Sequence, residues 1–286
     1  MIHFFKGHGL GNDFLILEGE GLSALLSVEF VRALCDRRQG LGADGILIRE
    51  EDEQGLPFMR IYNADGTEPE MCGNGLRVFG LYLVEKLGAP STGLEIGTPA
   101  GIRRVDIGSR PAPGVAEIRV EMGQARDIQS DGREEGRDLV LDFQLGEKNL
   151  EARGQAISMG NPHFVVTDDR FSASWEQAGE VGPILEKHPR FPEGANIEFM
   201  TAKGPESLEV VVWERGCGLT RACGTGACAA TVVAARIGLV PNDREIKVCL
   251  PGGELKVRVE SGEEKVWMTG PASLVAQGIL EEGWQI

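Results

Sequence analysis

Long apolar stretches are missing from this chain. It has no run of about 18 apolar residues, so no membrane-spanning helix is expected. Its first residues, Met1-Ile2-His3-Phe4-Phe5-Lys6, lack a basic region followed by an apolar core, so no secretory leader is expected. Positive charge is scarce: 29 lysines and arginines face 44 aspartates and glutamates, for a formal net charge of −15. A surface of that sign repels phosphate backbones and argues against nucleic-acid partners. Metal-ligand pairs are also scarce. Of the six cysteines only Cys223 and Cys228 are close, and no second pair or nearby histidine completes a site, so no metal is expected. Pyridoxal phosphate needs a Schiff-base lysine and a phosphate cup. The lysines here are scattered and no glycine-rich loop precedes one, so no cofactor is expected. The composition fits a soluble, cytoplasmic globular protein with reduced thiols. Its 286 residues suffice for one large domain or two smaller ones.

Glycine is abundant, with 40 residues, and it marks an internal duplication. Met71-Cys72-Gly73-Asn74-Gly75 matches Ala222-Cys223-Gly224-Thr225-Gly226, and each opens an apolar helical stretch. The first stretch, 76–87, stops at Gly88 and the second, 227–237, at Gly238, as helix C-termini do. Nine residues before each cysteine a β-like run ends, at Asn63 and at Glu214. Gly42-Ala43-Asp44-Gly45 matches Gly194-Ala195-Asn196, Gly11-Asn12-Asp13-Phe14 matches Gly160-Asn161-Pro162-His163, and Pro99 matches Pro251. The offsets all lie between 149 and 152 residues. Five landmarks in one order at a nearly constant offset indicate two homologous halves rather than a solenoid.

Each half reads as strands around one strong helix. Strands are expected at 14–18, 45–49, 59–62, 94–96, 103–107 and 115–121, then at 156–159, 164–167, 197–201, 207–213, 245–250, 255–259 and 265–268. Further helices are expected at 27–36, with Ser27 as cap, and at 175–188. Strands outnumber helices and short turns join them, which predicts an α/β (α+β) fold of mostly antiparallel sheet or barrel. The helix after each Cys-Gly-x-Gly is apolar nearly all round and should be the buried centre of its half. The N-terminal half is expected at 1–122, completed by 270–286, and the C-terminal half at 123–269, with a polar linker over 124–137. The active site is expected in the cleft between the pseudo-symmetric halves.

Two cysteines at two helix starts suit proton transfer at an α-carbon. Inversion needs two bases, one abstracting the proton as thiolate and one donating a proton as thiol. A helix N-terminus lowers a thiol's pKa and binds carboxylate. Cys72 and Cys223 are therefore the expected catalytic pair of a cofactor-independent amino-acid racemase or epimerase. His163, beside Asn161, could tune a thiol. Glu214 and Arg215 are either an exposed charged pair or part of the site, and the match of Glu214 to Asn63 favours the site. His3, His8 and His188 read as packed or surface residues, and Cys35, Cys217, Cys228 and Cys249 as buried or incidental thiols.

Asn63-Ala64-Asp65-Gly66-Thr67, Cys72-Gly73-Asn74-Gly75, Gly160-Asn161-Pro162-His163, Glu214-Arg215-Gly216 and Ala222-Cys223-Gly224-Thr225-Gly226 together resemble the diaminopimelate epimerase family. His8-Gly9-Leu10-Gly11-Asn12-Asp13-Phe14 resembles that family's opening motif. The resemblance covers essentially the whole chain. It implies interconversion of LL- and meso-diaminopimelate, in lysine and cell-wall precursor synthesis, without a cofactor, by a cytoplasmic homodimer. The implied thiols are Cys72 and Cys223, modulated by His163 and Glu214. The implied substrate contacts are Asn12, Asn63, Gly73, Asn74, Asn161, Asn196, Glu214, Arg215, Gly224 and Thr225. One position departs: some members carry a substrate-contacting glutamine where this chain has Gly45.

Two other readings remain open. A proline racemase or hydroxyproline epimerase of the same fold typically has histidine after the first Cys-Gly, where this chain has Asn74. Proline would also leave much of the polar set of Asn12, Asn63, Asn161, Asn196, Glu214 and Arg215 unpaired, at a cost when buried. A non-catalytic thiol redox sensor or metal-binding module would keep the cysteines but has no need of two matching helix starts.

Overall fold

The computed structural model describes residues 1–19, 22–128, 138–262 and 265–281. The chain divides into two compact units, Met1–Val120 with Thr269–Ile286, and Glu121–Met268. Of the linker expected at 124–137, residues 129–137 lie outside the described residues.

The first unit begins with the hairpin β1 (His3–Gly9) and β2 (Asn12–Glu18), in which Gly9 faces Asn12. Helices α1 (Leu22–Leu25) and α2 (Val28–Cys35) follow. Ser27 caps α2 by accepting from Phe30 N at 3.1 Å. This crossover lets β3 (Gly45–Glu51) lie parallel to β2, with Phe14 opposite Gly45. β4 (Pro57–Asn63) returns antiparallel and pairs its Asn63 with Gly45. Then come helix α3 (Gly73–Leu87), strands β5 (Leu94–Ile96) and β6 (Arg103–Ile107), and β7 (Val115–Gln124), all three strands antiparallel in sequence.

The second unit repeats this order. Short β8 (Arg126–Asp127) and β9 (Leu139–Leu145) pair with β10 (Lys148–Ser158), whose end pairs with β11 (Pro162–Val166). Helix α4 (Trp175–Glu186), capped by Ser174, carries the chain to β12 (Asn196–Gly204), parallel to β11, with His163 opposite Asn196. β13 (Ser207–Glu214) returns antiparallel and turns into β14 (Gly218–Leu219). Helix α5 (Gly224–Arg236) leads to β15 (Ile246–Leu250), parallel to β13, and then to β16 (Gly253–Val259) and β17 (Lys265–Ile279). The end of β17 pairs with β1, from His3 opposite Ile279 to His8 opposite Ser273.

The sheets are mostly antiparallel, as expected. Three parallel pairs, β2–β3, β11–β12 and β13–β15, were not anticipated from the short turns. Each is joined through a helix, which is the connection a parallel pair needs. Strands β1 and β9 and the first part of β10 are further additions: Lys148-Asn149-Leu150-Glu151 is too polar to stand out, whereas β9 buries every second residue from Leu139 to Phe143 in a legible strand alternation.

Helices α3 and α5 are the buried centres of their units. Residues 73–83 of α3 and 224–234 of α5 are all buried. α3 packs against β1, β2, β4 and β6, and α5 against β10, β11, β12, β13, β15 and β16. Ala227, Ala229, Ala230 and Ala234 let six strands approach α5 closely. Thr231 meets the same apolar surroundings by donating its hydroxyl to Ala227 O at 2.8 Å. No helix among the described residues is long and apolar enough to cross a membrane.

Candidate active site

Both helices begin directly after the cysteine, at Gly73 and Gly224, three residues before the apolar runs 76–87 and 227–237. Cys72 is the N-cap of α3 and its Sγ accepts from Gly75 N at 3.3 Å. Cys223 is the N-cap of α5 and its Sγ accepts from Gly226 N at 3.4 Å. Both have extended backbone, φ −144° and −116°. Sulfur here takes the place of the usual serine or aspartate oxygen. The Cys-Gly-x-Gly unit is thus the first helical turn, with the thiol at the positive end of the dipole. Space demands its last glycine. A Cβ on Gly226 would stand 2.9 Å from Glu198 Oε1 and 3.3 Å from Cys223 Sγ, and one on Gly75 3.2 Å from Leu47 Cδ2.

Around Cys72 lies a chain of amides. Arg77, one turn on and fully buried, donates to Asn74 Oδ1 at 2.9 Å. Asn74 Nδ2 donates to Asn12 Oδ1 at 3.0 Å, and Asn12 Nδ2 to Asp44 Oδ2 at 3.0 Å. Arg37 bridges Asp44 at 2.7 Å and Asp13 at 2.6 Å, and Lys6 reaches Asp13 at 3.1 Å. Burial opposes ionisation of Asp13, but the hydrogen bonds and charges of Arg37 and Lys6 outweigh it and hold the carboxyl below its usual value. Asn63 turns its Nδ2 to Thr67 Oγ1 at 2.9 Å, inside the loop that joins β4 to α3.

Around Cys223 lies a different network. Its Sγ is 3.5 Å from Thr225 Oγ1, which accepts from Asn161 Nδ2 at 3.4 Å. Asn161 Oδ1 is 2.8 Å from His163 Nε2, and His163 Nδ1 is 2.7 Å from Glu198 Oε1. Glu214 accepts from the Thr220 hydroxyl and bonds the Cys223 thiol. Asn196 clips two strands together: its Nδ2 donates to Pro162 O and its Oδ1 takes Arg215 N, both at 2.9 Å. Arg215 is exposed and donates to Glu193 O at 3.3 Å.

The electrostatics of Cys223 correct an expectation. A helix start was expected to lower the thiol pKa. Burial and then the Glu214 charge push it well above its ordinary value, and the hydrogen bonds from Thr225 and Gly226 N do not compensate. Burial likewise raises Glu214, despite the bonds from Thr220 and Cys223.

The diaminopimelate epimerase family profile matches residues 4–128 and 155–275. Diaminopimelate epimerases of Desulfitobacterium hafniense and Moorella thermoacetica are each 40% identical to this chain, the first over 97% of both chains and the second over 97% and 98%. This chain belongs to the diaminopimelate epimerase family. Solved structures of a hydroxyproline epimerase from Agrobacterium vitis and a probable proline racemase from Agrobacterium radiobacter share its fold, with TM-scores of 0.72 and 0.71. Each is 15% identical and covers 93% of its own chain, against 99% and 98% of this one. At that identity the likeness concerns the fold alone.

Set against this epimerase family, two positions need comment. Gly45 has its backbone engaged with Phe14 and Asn63, and a Cβ there would stand 2.6 Å from Tyr62 O, so the strand packing leaves a side chain no ready place. Cys217, among the thiols read as buried or incidental, is exposed. It sits in the tight turn after β13, where Gly216 and Gly218 adopt φ of 76° and 80°. Cys35 and Cys228 are buried and Cys249 half-buried.

Lys6, Asp13, Arg37, Asp44, Arg77, Glu198 and Thr220 belong to these networks and were not singled out from the sequence. Arg77 and Glu198 carried a signal. Arg77 interrupts the apolar run Leu76-Arg77-Val78-Phe79, and Glu198 interrupts Ile197-Glu198-Phe199-Met200. A charge inside a buried run is rarely kept without a partner.

Proposed function

We propose that this epimerase interconverts LL- and meso-2,6-diaminopimelate without a cofactor, using Cys72 and Cys223 as a thiolate and thiol on opposite faces of one α-carbon. The observation that carries this reading is the matched pair of cysteine N-caps, one in each unit of a diaminopimelate epimerase family chain. One thiolate takes the α-proton while the other thiol delivers a proton from the far side, which inverts the centre. Proton transfer by a positioned group contributes roughly 10²–10⁴-fold.

Negative charge then develops on the α-carboxylate. The first-turn N–H groups at Gly73, Asn74, Gly224 and Thr225 suit that charge, and one such donor is worth about 3–4 kcal/mol in comparable sites. Cys223, held neutral by burial, fits the thiol partner, and Glu214 can receive its proton when the direction reverses. Asn12, Asn63, Asn161, Asn196 and Arg215 form a polar set suited to the distal amino-acid end. Asn196 spends one hydrogen and one lone pair on Pro162 and Arg215, and it retains one of each for a ligand. The expected setting is cytoplasmic and the expected assembly a homodimer.

The test is incubation of reduced protein with LL-diaminopimelate in heavy water, without added cofactor. Meso product carrying one solvent deuterium is expected. Equal turnover of proline or hydroxyproline would overturn the substrate assignment.

A further inference from the structure

The duplication is broken behind the two helix starts. In register, Phe14 lies opposite Gly45 in the first unit and His163 opposite Asn196 in the second. Two residues further along the partner strand stand Leu47 and Glu198. They fill the same slot, against the third residue of the helix that each cysteine caps. The first helix start is therefore backed by Phe14 and Leu47, the second by His163 and Glu198. His163 and Glu198 are both fully buried.

We propose, resting on the epimerase reading above, that Glu198 is a positioning residue for the Cys223 side of the reaction. It holds the His163 ring so that Nε2–H is presented to Asn161 Oδ1, and this turns the Asn161 amide toward Thr225 beside the thiol.

The proton count follows from the geometry. Asn161 Nδ2 points at Thr225 Oγ1, so Asn161 Oδ1 faces His163 and must receive a proton from Nε2. The 2.7 Å contact between Nδ1 and Oε1 then needs a second proton, on either atom. Both placements leave the pair with zero net charge. The arrangement of carboxylate with an Nδ1–H imidazole would set the Nε2 lone pair against Asn161 Oδ1. The other Glu198 oxygen is buried with no hydrogen-bond partner, which a carboxylate tolerates poorly, and burial raises this carboxyl. A neutral pair adds no negative charge beside Cys223, whose other acidic neighbour is Glu214. Leucine in the same slot would leave His163 free to carry its proton on Nδ1.

The test uses Glu198→Gln and Glu198→Leu in the full chain. A glutamine N–H can still donate to Nδ1, so Glu198→Gln should keep the Nε2–H form and kcat within about threefold of wild type. Glu198→Leu should lose kcat by roughly tenfold or more with little change in KM, through loss of an oriented acid–base network. Imidazole ¹⁵N shifts should show Nε2 protonated in wild type and Glu198→Gln near pH 8, and Nδ1 partly protonated in Glu198→Leu. The rate of Cys223 alkylation against pH should change in Glu198→Leu and be restored in Glu198→Gln. Wild-type kcat and shifts in Glu198→Leu would overturn the proposal, and so would a wild-type ring protonated on Nδ1 but not on Nε2, which needs no variant to fold. If wild type lacks activity on diaminopimelate, the substrate reading fails, while the ¹⁵N and alkylation results still decide the role of Glu198.

Discussion

Arg77 donates to Asn74 Oδ1 at 2.9 Å, and both side chains are buried one turn inside the helix that Cys72 caps. The contact commits the whole amide chain. Because Asn74 Oδ1 is occupied, its Nδ2 must face Asn12, and Asn12 must in turn donate to Asp44. Replacing Arg77 by leucine frees Asn74 to flip and leaves the carbonyl of Pro271 without its donor at 3.3 Å. Arg77→Leu should raise KM for diaminopimelate and lower stability by about 1–3 kcal/mol, the cost of a buried polar group left unsatisfied. Steady-state kinetics with a urea melt checks both.

Each thiol should be indispensable on its own. Cys72→Ala and Cys223→Ala should each reduce meso product formation by at least about 10²-fold, because inversion needs a proton transfer on each face. Circular dichroism should show both variants folded, since losing a cap costs only about 1 kcal/mol.

The two helix-start glycines should differ in tolerance. At Gly226 an added methyl meets Glu198 Oε1 at 2.9 Å and Val212 Cγ2 at 3.0 Å, and Glu198 is locked to His163. At Gly75 the nearest atom is the end of Leu47, at 3.2 Å, which can rotate. Gly226→Ala should cost about 1–3 kcal/mol by overpacking, and Gly75→Ala less. Denaturant midpoints at constant m report the difference.

Alkylation should sort the thiols by environment. Exposed Cys217 should react first at pH 7.5. Cys35, whose thiol is pushed up to about 11 by burial and the nearby Asp13 and Asp44 charges, should stay unmodified in the folded protein. Cys223 is raised too, so its reaction rate should climb as pH rises into the alkaline range, without a plateau near neutrality. Peptide mass mapping over pH 6–10 reads all three.

Asp13 supplies an acid-side limb to stability. Its folded pKa lies below the ordinary 3.8, so its contribution is complete above that value and is lost as pH falls through the folded pKa. Arg37 is 57% exposed, so solvent screening limits the effect to about 1 kcal/mol or less. Asp13→Asn should flatten the stability profile below pH 4, seen in urea melts at stepped pH.

Much of this architecture was present in one-dimensional pattern. The repeat of Cys-Gly-x-Gly, with Asn63 and Glu214 nine residues upstream, announced two similar halves and placed a thiol at each helix start. Apolar residues nearly all round 76–83 and 227–234 announced buried helices, because no solvated face was provided. Ser27, Gly88 and Gly238 marked helix ends, since capping chemistry is local. The family followed from the same short motifs, which need no tertiary contact to be read.

Tertiary structure decided what those motifs touch. Glu198 is 35 residues from His163 and Asn12 is 62 from Asn74; pairing of β11 with β12 brings the first pair within 3.0 Å, and packing of α3 against the β1–β2 hairpin brings the second. Parallel pairing of β2 with β3 and of β11 with β12 could not be read either, since it depends on how a helix returns over the sheet. The protonation of Cys223 was decided there as well. A helix start pulls a thiol toward thiolate, burial pushes it back, and the balance depends on how much water the surrounding strands exclude.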